Sequence, residues 1–299
     1  MTVKPKTLKS QPYRLAHFSD FHIGDEQGLK MALEMVRDAV SQKIDHILIT
    51  GDLLDCAELH LAKRFWAVIK RMGWATSDKC TFVPGNHDIF PFSANFGLGQ
   101  DRSALLKTAI QMCKLRPSTR TRDQLARLTM HARQGAVSLC RTSDFAVGKV
   151  LGSGSVVIAS ADSSSTSPWP WLWQTGELSE DVRKGISRFF KQHSGAKHHL
   201  LAFHHSPRET DPAEVQGPFN QLFDDPKPAD VRAWIRKSGA SFVFCGHIHQ
   251  ADDIDLWPCC PNCQVFRAGA SGGWLDGNRV YHLVAFYPDG KVAIRRRYL

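Results

Sequence analysis

A chain of 299 residues, 42% hydrophobic and 22% charged, is long enough to bury a sizeable core and ordinary enough in composition to be globular. Its polar first twelve residues lack the apolar stretch of a secretory signal, and no apolar run approaches the roughly 20 residues of a membrane-spanning helix, so a cytoplasmic protein is expected. The formal net charge of +9 favours anionic partners by steering.

Residues 1–12 read as a polar extension. Tyr13 to Phe18 reads as a short strand feeding into Asp20. Leu29, Leu33, Val36 and Val40 recur at helical spacing and predict an amphipathic helix over 29–43. Asp45 to Thr50 is a near-continuous apolar run, the pattern of a strand covered on both faces. Leu61, Phe65, Val68 and Met72 mark a second helix that Gly73 is placed to stop, and Thr81 to Val83 gives a third strand. This alternation predicts parallel βαβ units with right-handed crossovers.

Residues 100–134 interrupt the rhythm with a helical pattern broken at Arg116-Pro117-Ser118, read as a two-helix insert that flanks or covers a site. Eight basic residues face two acidic ones between 101 and 134. A solvated helical face and a dedicated nucleic-acid or anionic-membrane patch both fit that composition. Strand character resumes at Val156 to Ser160. Trp169, Trp171 and Trp173 sit in a Pro-rich loop, and Ser179 caps a helix striped by Val182, Ile186 and Phe189. Leu200 to Phe203 is a strand, Val231 to Lys237 a helix, Ser241 to Cys245 a strand. Val265 to Ala268, Val280 to Phe286 and Val292 to Arg296 follow without helices between them, which predicts antiparallel strands on the second half of the sheet. With no repeat or low-complexity linker, residues 13–299 read as one domain. Cys259, Cys260 and Cys263 crowd together, but only the single Cys245 precedes them, so free thiols or packing are expected rather than a zinc knuckle or a disulfide framework.

Five clusters of hard-metal ligands follow five of these strands: Asp20-Phe21-His22, Gly51-Asp52-Leu53-Leu54-Asp55, Gly85-Asn86-His87-Asp88, His204-His205 and Gly246-His247-Ile248-His249. Loops at the carboxyl ends of strands in an α/β sheet converge on one crevice. Each cluster alone is a plausible turn or cap. Five in order, each at a strand end, would require independent turn preferences to coincide five times. Oxygen and imidazole donors without thiolate suit iron, manganese or zinc, and two adjacent divalent cations are a device for attacking phosphate esters.

The pattern Asp-x-His, Gly-Asp-x-x-Asp, Gly-Asn-His-Asp, His, Gly-His-x-His resembles the calcineurin-like metallophosphoesterases over residues 13 to about 250. The resemblance implies an α/β fold in which two mixed β-sheets pack as a sandwich flanked by helices, a four-layer α/β/β/α arrangement. It further implies two divalent or trivalent transition-metal ions, one on Asp20, His22 and His249, the other on Asn86, His204 and His247, with Asp52 bridging. A hydroxide shared by the ions would attack phosphorus in line. His87 resembles the family's general acid, with Asp88 orienting its ring, and Asp55 would support a metal-binding histidine or the Asp52 loop. His204 is expected to be the ligand of the His-His pair, and His205 a substrate contact.

Cys245-Gly246-His247-Ile248-His249-Gln250, Gly176-Glu177-Leu178-Ser179 and His204-His205 look most like the bacterial cyclic-nucleotide phosphodiesterase group. That implies a small phosphodiester substrate. A nuclease or lipid-nucleotide pyrophosphohydrolase using the basic insert is the alternative, and a non-catalytic scaffold a third. Oligomeric state is not legible in the sequence.

Overall fold

Alternation within the strands builds the layers. In β2 (His46–Thr50) all five residues are buried, with Ile47 and Ile49 joining one core cluster and Leu48 another. β6 (Val156–Ser160) repeats this, Val157 and Ala159 on one side, Val156 and Ile158 on the other. Strands buried on both faces require cover on both, and the chain supplies it with a second sheet inside and helices outside.

The computed structural model describes residues 11–56, 59–89, 119–164, 176–207, 228–249, 255–256, 263–272 and 279–299. Among these, the first sheet has five strands. In spatial order they are β12 (Val292–Tyr298), β11 (Val280–Phe286), β1 (Tyr13–Phe18), β2 and β3 (Cys80–Val83). β1, β2 and β3 run parallel. The second sheet, with seven described strands, runs β4 (Val137–Ser138), β5 (Val147–Leu151), β6, β7 (His198–Ala202), β8 (Phe242–Cys245), β10 (Gln264–Arg267) and β9 (Asp255–Leu256). There β6, β7, β8 and β10 are parallel.

The sheets meet face to face. One apolar cluster draws Leu15, Leu48, Val284 and Phe286 from the first sheet and Ile158, Leu200, Phe244 and Phe266 from the second. Outside the first sheet lie α1 (Glu26–Ser41), whose N-cap Asp25 accepts from Gly28 N at 2.7 Å, and α2 (Leu59–Arg71). Outside the second lie α6 (Glu180–Gln192) and α7 (Pro228–Ser238), which contribute Val182, Ile186, Phe189 and Ile235 to its outer cluster. The chain therefore has the predicted four-layer sandwich of mixed sheets.

The expectation of antiparallel strands holds for β11 and β12 and needs correction for β10. β10 extends the second sheet in parallel beside β8, while β11 crosses back to pair antiparallel with β1, Tyr13 opposite Phe286, and β12 continues outward from it. Val284 and Phe286 then complete the core between the sheets. β5 was not expected at all, because Gly148 and Lys149 interrupt its apolar pattern. Lys149 is buried nonetheless, its ammonium donating to the carbonyls of Cys80 and Ala132.

The short α3 (Asn86–Ile89), α4 (Thr119–Leu128) and α5 (Met130–Arg133) follow β3. α4 packs on α2 and α3, and Leu125, Ala126 and Ala132 enter the main outer core. The described half of the basic segment is thus a built-in flank, not a separable lid. Its charges are partly engaged: Arg122 pairs with Asp162 at 3.0 Å, and the Arg133 guanidinium lies 5.1 Å from the Phe145 ring. Residues 100–118, the Trp169–Trp173 loop, Cys259 and Cys260 lie outside the described residues. Among the described residues, no helix is long and apolar enough to cross a membrane.

Candidate metal centre

Five parallel strands deliver the ligand clusters to one place. Asp20 and His22 follow β1, Asp52 and Asp55 follow β2, and Asn86, His87 and Asp88 open α3 after β3; these come from the first sheet. His204 and His205 follow β7, and His247 and His249 follow β8, from the second. The loops are stitched together by main-chain bonds: Asp20 N to Gly51 O and His22 N to Asp52 O, both 3.0 Å, and Gly246 N to His204 O at 2.8 Å. Gly85 and Gly246 are glycines because a Cβ at either would collide with the carboxylate of Asp52 or of Asp20, respectively.

Backbone strain concentrates here. Asp20, His22, Asp52, His247 and His249 all adopt positive φ, between 45° and 77°. Side chains other than glycine avoid that region at a cost of about 1–3 kcal/mol each, and they persist there when surrounding structure over-determines them, often for function.

Asp20, His22, Asp52 and His249 each offer one donor atom within 4.8 Å of the others, and so do Asp52, His204 and His247. In the first group His22 Nε2 and His249 Nε2 are 2.9 Å apart, and His249 Nε2 is 3.4 Å from Asp20 Oδ1. In the second, His204 Nε2 lies 3.1 Å from Asp52 Oδ2, 3.2 Å from Asn86 Oδ1 and 3.3 Å from His247 Nδ1. Asp52 belongs to both groups, as a bridging carboxylate must. Imidazole nitrogens this close can share at most one proton between them, so the packing suits cations in their midst better than protons. The donor set fits two divalent or transition-metal ions.

For His22, His247 and Asp52 the electrostatics agree. Burial, then crowding by neighbouring imidazoles, pushes the pKa of His22 and His247 well below the ordinary value, which leaves neutral rings with lone pairs to offer. Burial also works against the Asp52 carboxylate, but the His204, His87 and His22 rings outweigh it and hold its pKa well below the usual range. His204, buried as well, is held up at about 9 by Asp52. Its other nitrogen, Nδ1, meets Thr50 O at 2.7 Å, the kind of contact that fixes ring orientation.

His204 Nε2 points among the donors, whereas His205 Nδ1 turns to Ser163 Oγ at 2.9 Å. His87 stands at the rim of the first group, its ring 4.9 Å from that of His22, with Nδ1 2.9 Å from Asp55 O. Asp55 also approaches His22, Oδ1 to Nδ1 at 3.7 Å.

Asp88 does something other than orient the His87 ring. Its Oδ1 accepts from Leu54 N and its Oδ2 from Gly85 N, each at 2.9 Å, so it ties the β2 and β3 loops together. The ring is held by the Asp55 carbonyl instead. Burial, reinforced by the Asp52 charge, pushes Asp88 up to about 7 against the pull of those amides.

Ser163 was missed in the sequence. It follows β6, a sixth parallel strand end beside the same crevice, and its hydroxyl accepts from the amides of His204 and His205. The strand-end rule that found the other five loops would have found it.

A family model for calcineurin-like phosphoesterases matches residues 13–251, and the chain belongs to that family of metal-dependent phosphoric ester hydrolases. No curated protein matches it by sequence. Among solved structures, it is similar to a dimetal phosphatase from Danio rerio, with 13% identity, a TM-score of 0.62 and 96% of each chain covered. It is also similar to a purple acid phosphatase from yellow lupin seeds, with 12% identity and a TM-score of 0.57; the match covers 97% of this chain and 52% of the lupin one, about half its length. At these identities the likeness is one of fold.

Proposed function

We propose that this chain hydrolyses small phosphodiesters, cyclic nucleotides or related compounds, at the centre described above. Asp20, His22 and His249 would hold one cation and Asn86, His204 and His247 the other, with Asp52 shared between them. Manganese, iron and zinc all suit these donors. When bound, such a pair supplies charge neutralisation at the phosphoryl oxygens and lowers the pKa of a water nucleophile.

The protein's own groups do the rest. His87 carries the reading: its Nδ1–H donates to the Asp55 carbonyl, so Nε2 is the ring's exchangeable position. In its imidazolium form the ring gives the Nε2 proton to the departing alkoxide, which otherwise leaves poorly, and keeps the one on Nδ1. The His87 amide donates to Asp52 Oδ1 at 2.9 Å, which keeps the acid in register with the bridging carboxylate. The His204-His205 pair and the Gly246–His249 loop also carry the likeness to cyclic-nucleotide phosphodiesterases.

The test compares bis(p-nitrophenyl) phosphate with p-nitrophenyl phosphate on manganese-loaded protein. A kcat/KM at least tenfold higher for the diester supports the proposal. Preference for the monoester would make the chain a phosphatase. No hydrolysis of either by metal-loaded protein would remove the enzymatic reading.

A further inference from the structure

Ser163 has more bonds than its lone pairs can explain unless its proton has a defined place. Its Oγ accepts from His204 N and from His205 N, each at 3.2 Å. A hydroxyl has two acceptor sites and one proton. With both acceptor sites filled, the contact of 2.9 Å to His205 Nδ1 can only be Ser163 donating. Nδ1 is therefore an acceptor, and the ring carries its single proton on Nε2.

That Nε2–H is buried and has no hydrogen-bond partner among the described residues, in a residue only 4% exposed. Buried donors are seldom left unmatched, and a persistent exception needs a reason such as an absent ligand. The ring stands beside the second donor group, 4.6 Å between centroids from His247 and 5.0 Å from His204. Gly176 packs so closely on His205 that a Cβ there would strike its side chain, which fixes the ring against the neighbouring loop.

We propose that His205 is a substrate-binding residue whose Nε2–H, set by the Ser163 hydroxyl, donates to a non-bridging oxygen of the phosphoryl group. It rests on the phosphoesterase reading for its substrate, while the tautomer stands on geometry alone. A donor fixed in place before substrate arrives costs no reorganisation on binding.

Two measurements test it. Nitrogen NMR of zinc-loaded protein should show His205 protonated at Nε2 and bare at Nδ1, with that preference weakened in Ser163→Ala; a proton on Nδ1 overturns the proposal. Calorimetric binding of inorganic phosphate to the metal-loaded protein should weaken about tenfold in His205→Phe, which keeps a ring and loses the donor, with metal content unchanged and partial recovery in His205→Gln. Unchanged phosphate affinity in His205→Phe also overturns it. Neither measurement needs turnover, so an inactive wild-type protein would sink the phosphodiesterase reading while leaving this one decidable. If His205→Phe does not fold, the tautomer measurement on wild-type protein still decides.

Discussion

The main-chain N–H of His87 donates to Asp52 Oδ1, so the residue proposed to protonate a leaving group and the carboxylate proposed to bridge two cations form one hydrogen-bonded unit. The unit depends on Gly85, because any side chain there would occupy the space of the Asp52 carboxylate. Its two members can be separated by experiment.

His87→Ala should leave metal content intact, since its ring, grouped with His22 and Asp55, lies outside the two groups that share Asp52. Loss of a general acid costs about 10²–10⁴-fold, concentrated on esters with poor leaving groups. Methyl p-nitrophenyl phosphate and an alkyl diester, assayed side by side, should diverge. Equal loss on both would remove His87 from the proton-transfer role.

Asp52→Asn keeps the shape but halves the ability to bridge, and both donor groups share this residue. Metal affinity should fall about 100-fold or more, beyond the range seen on removing a merely supporting residue. Elemental analysis after dialysis should give fewer than two ions per chain. Full occupancy in the variant would mean that the cations sit elsewhere.

Asp88→Ala should act on stability, not on leaving-group preference. It strands the buried amides of Leu54 and Gly85, each a loss of about 1–3 kcal/mol. Denaturant unfolding should show a drop of that order, with the ratio of alkyl to aryl ester rates near the wild-type value. A changed ratio in a stable variant would restore the sequence-based role for Asp88.

Acid should destabilise the fold through His46. Burial first, then the Lys149 charge, lowers its pKa from 6.5 to about 3. The ring bridges Asp78 O through Nδ1 and Thr81 Oγ1 through Nε2, both at 2.9 Å. Between pH 6.5 and 3 the unfolded chain binds this proton and the folded one does not. Stability is therefore complete above the unfolded pKa and falls by about 1.4 kcal/mol per pH unit below it. His46→Gln should flatten that part of the profile in denaturant titrations at pH 6.5 and 5. An identical slope in the variant would assign the acid sensitivity to other groups.

The site was more legible than the architecture around it. Asp20, Asp52, Asn86, His204 and His247 announce themselves because ligand chemistry tolerates few residue types and strand ends fix their position. The buried strands announced themselves through unbroken apolar runs, as in His46–Thr50. Lys149 hid β5, since a buried lysine satisfied by two carbonyls looks like a surface residue in sequence. The partner of β11 was not legible either, because apolar alternation says that a strand is half-covered without naming the sheet it joins. The resemblance gave Asp88 the task of orienting the His87 ring, while its carboxylate reaches across to Leu54, a contact that no motif spells out.

Each of the two donor groups takes members from both sheets, Asp20 and His22 with His249 in one, Asp52 with His204 and His247 in the other. Ions seated there would rivet the sandwich at one end. Sliding one sheet past the other by a single residue, roughly 3.3 Å, would rupture every coordination bond at once. Loading the centre should therefore stiffen the whole molecule against shear, and chelation should loosen the seam between the layers before it melts either one.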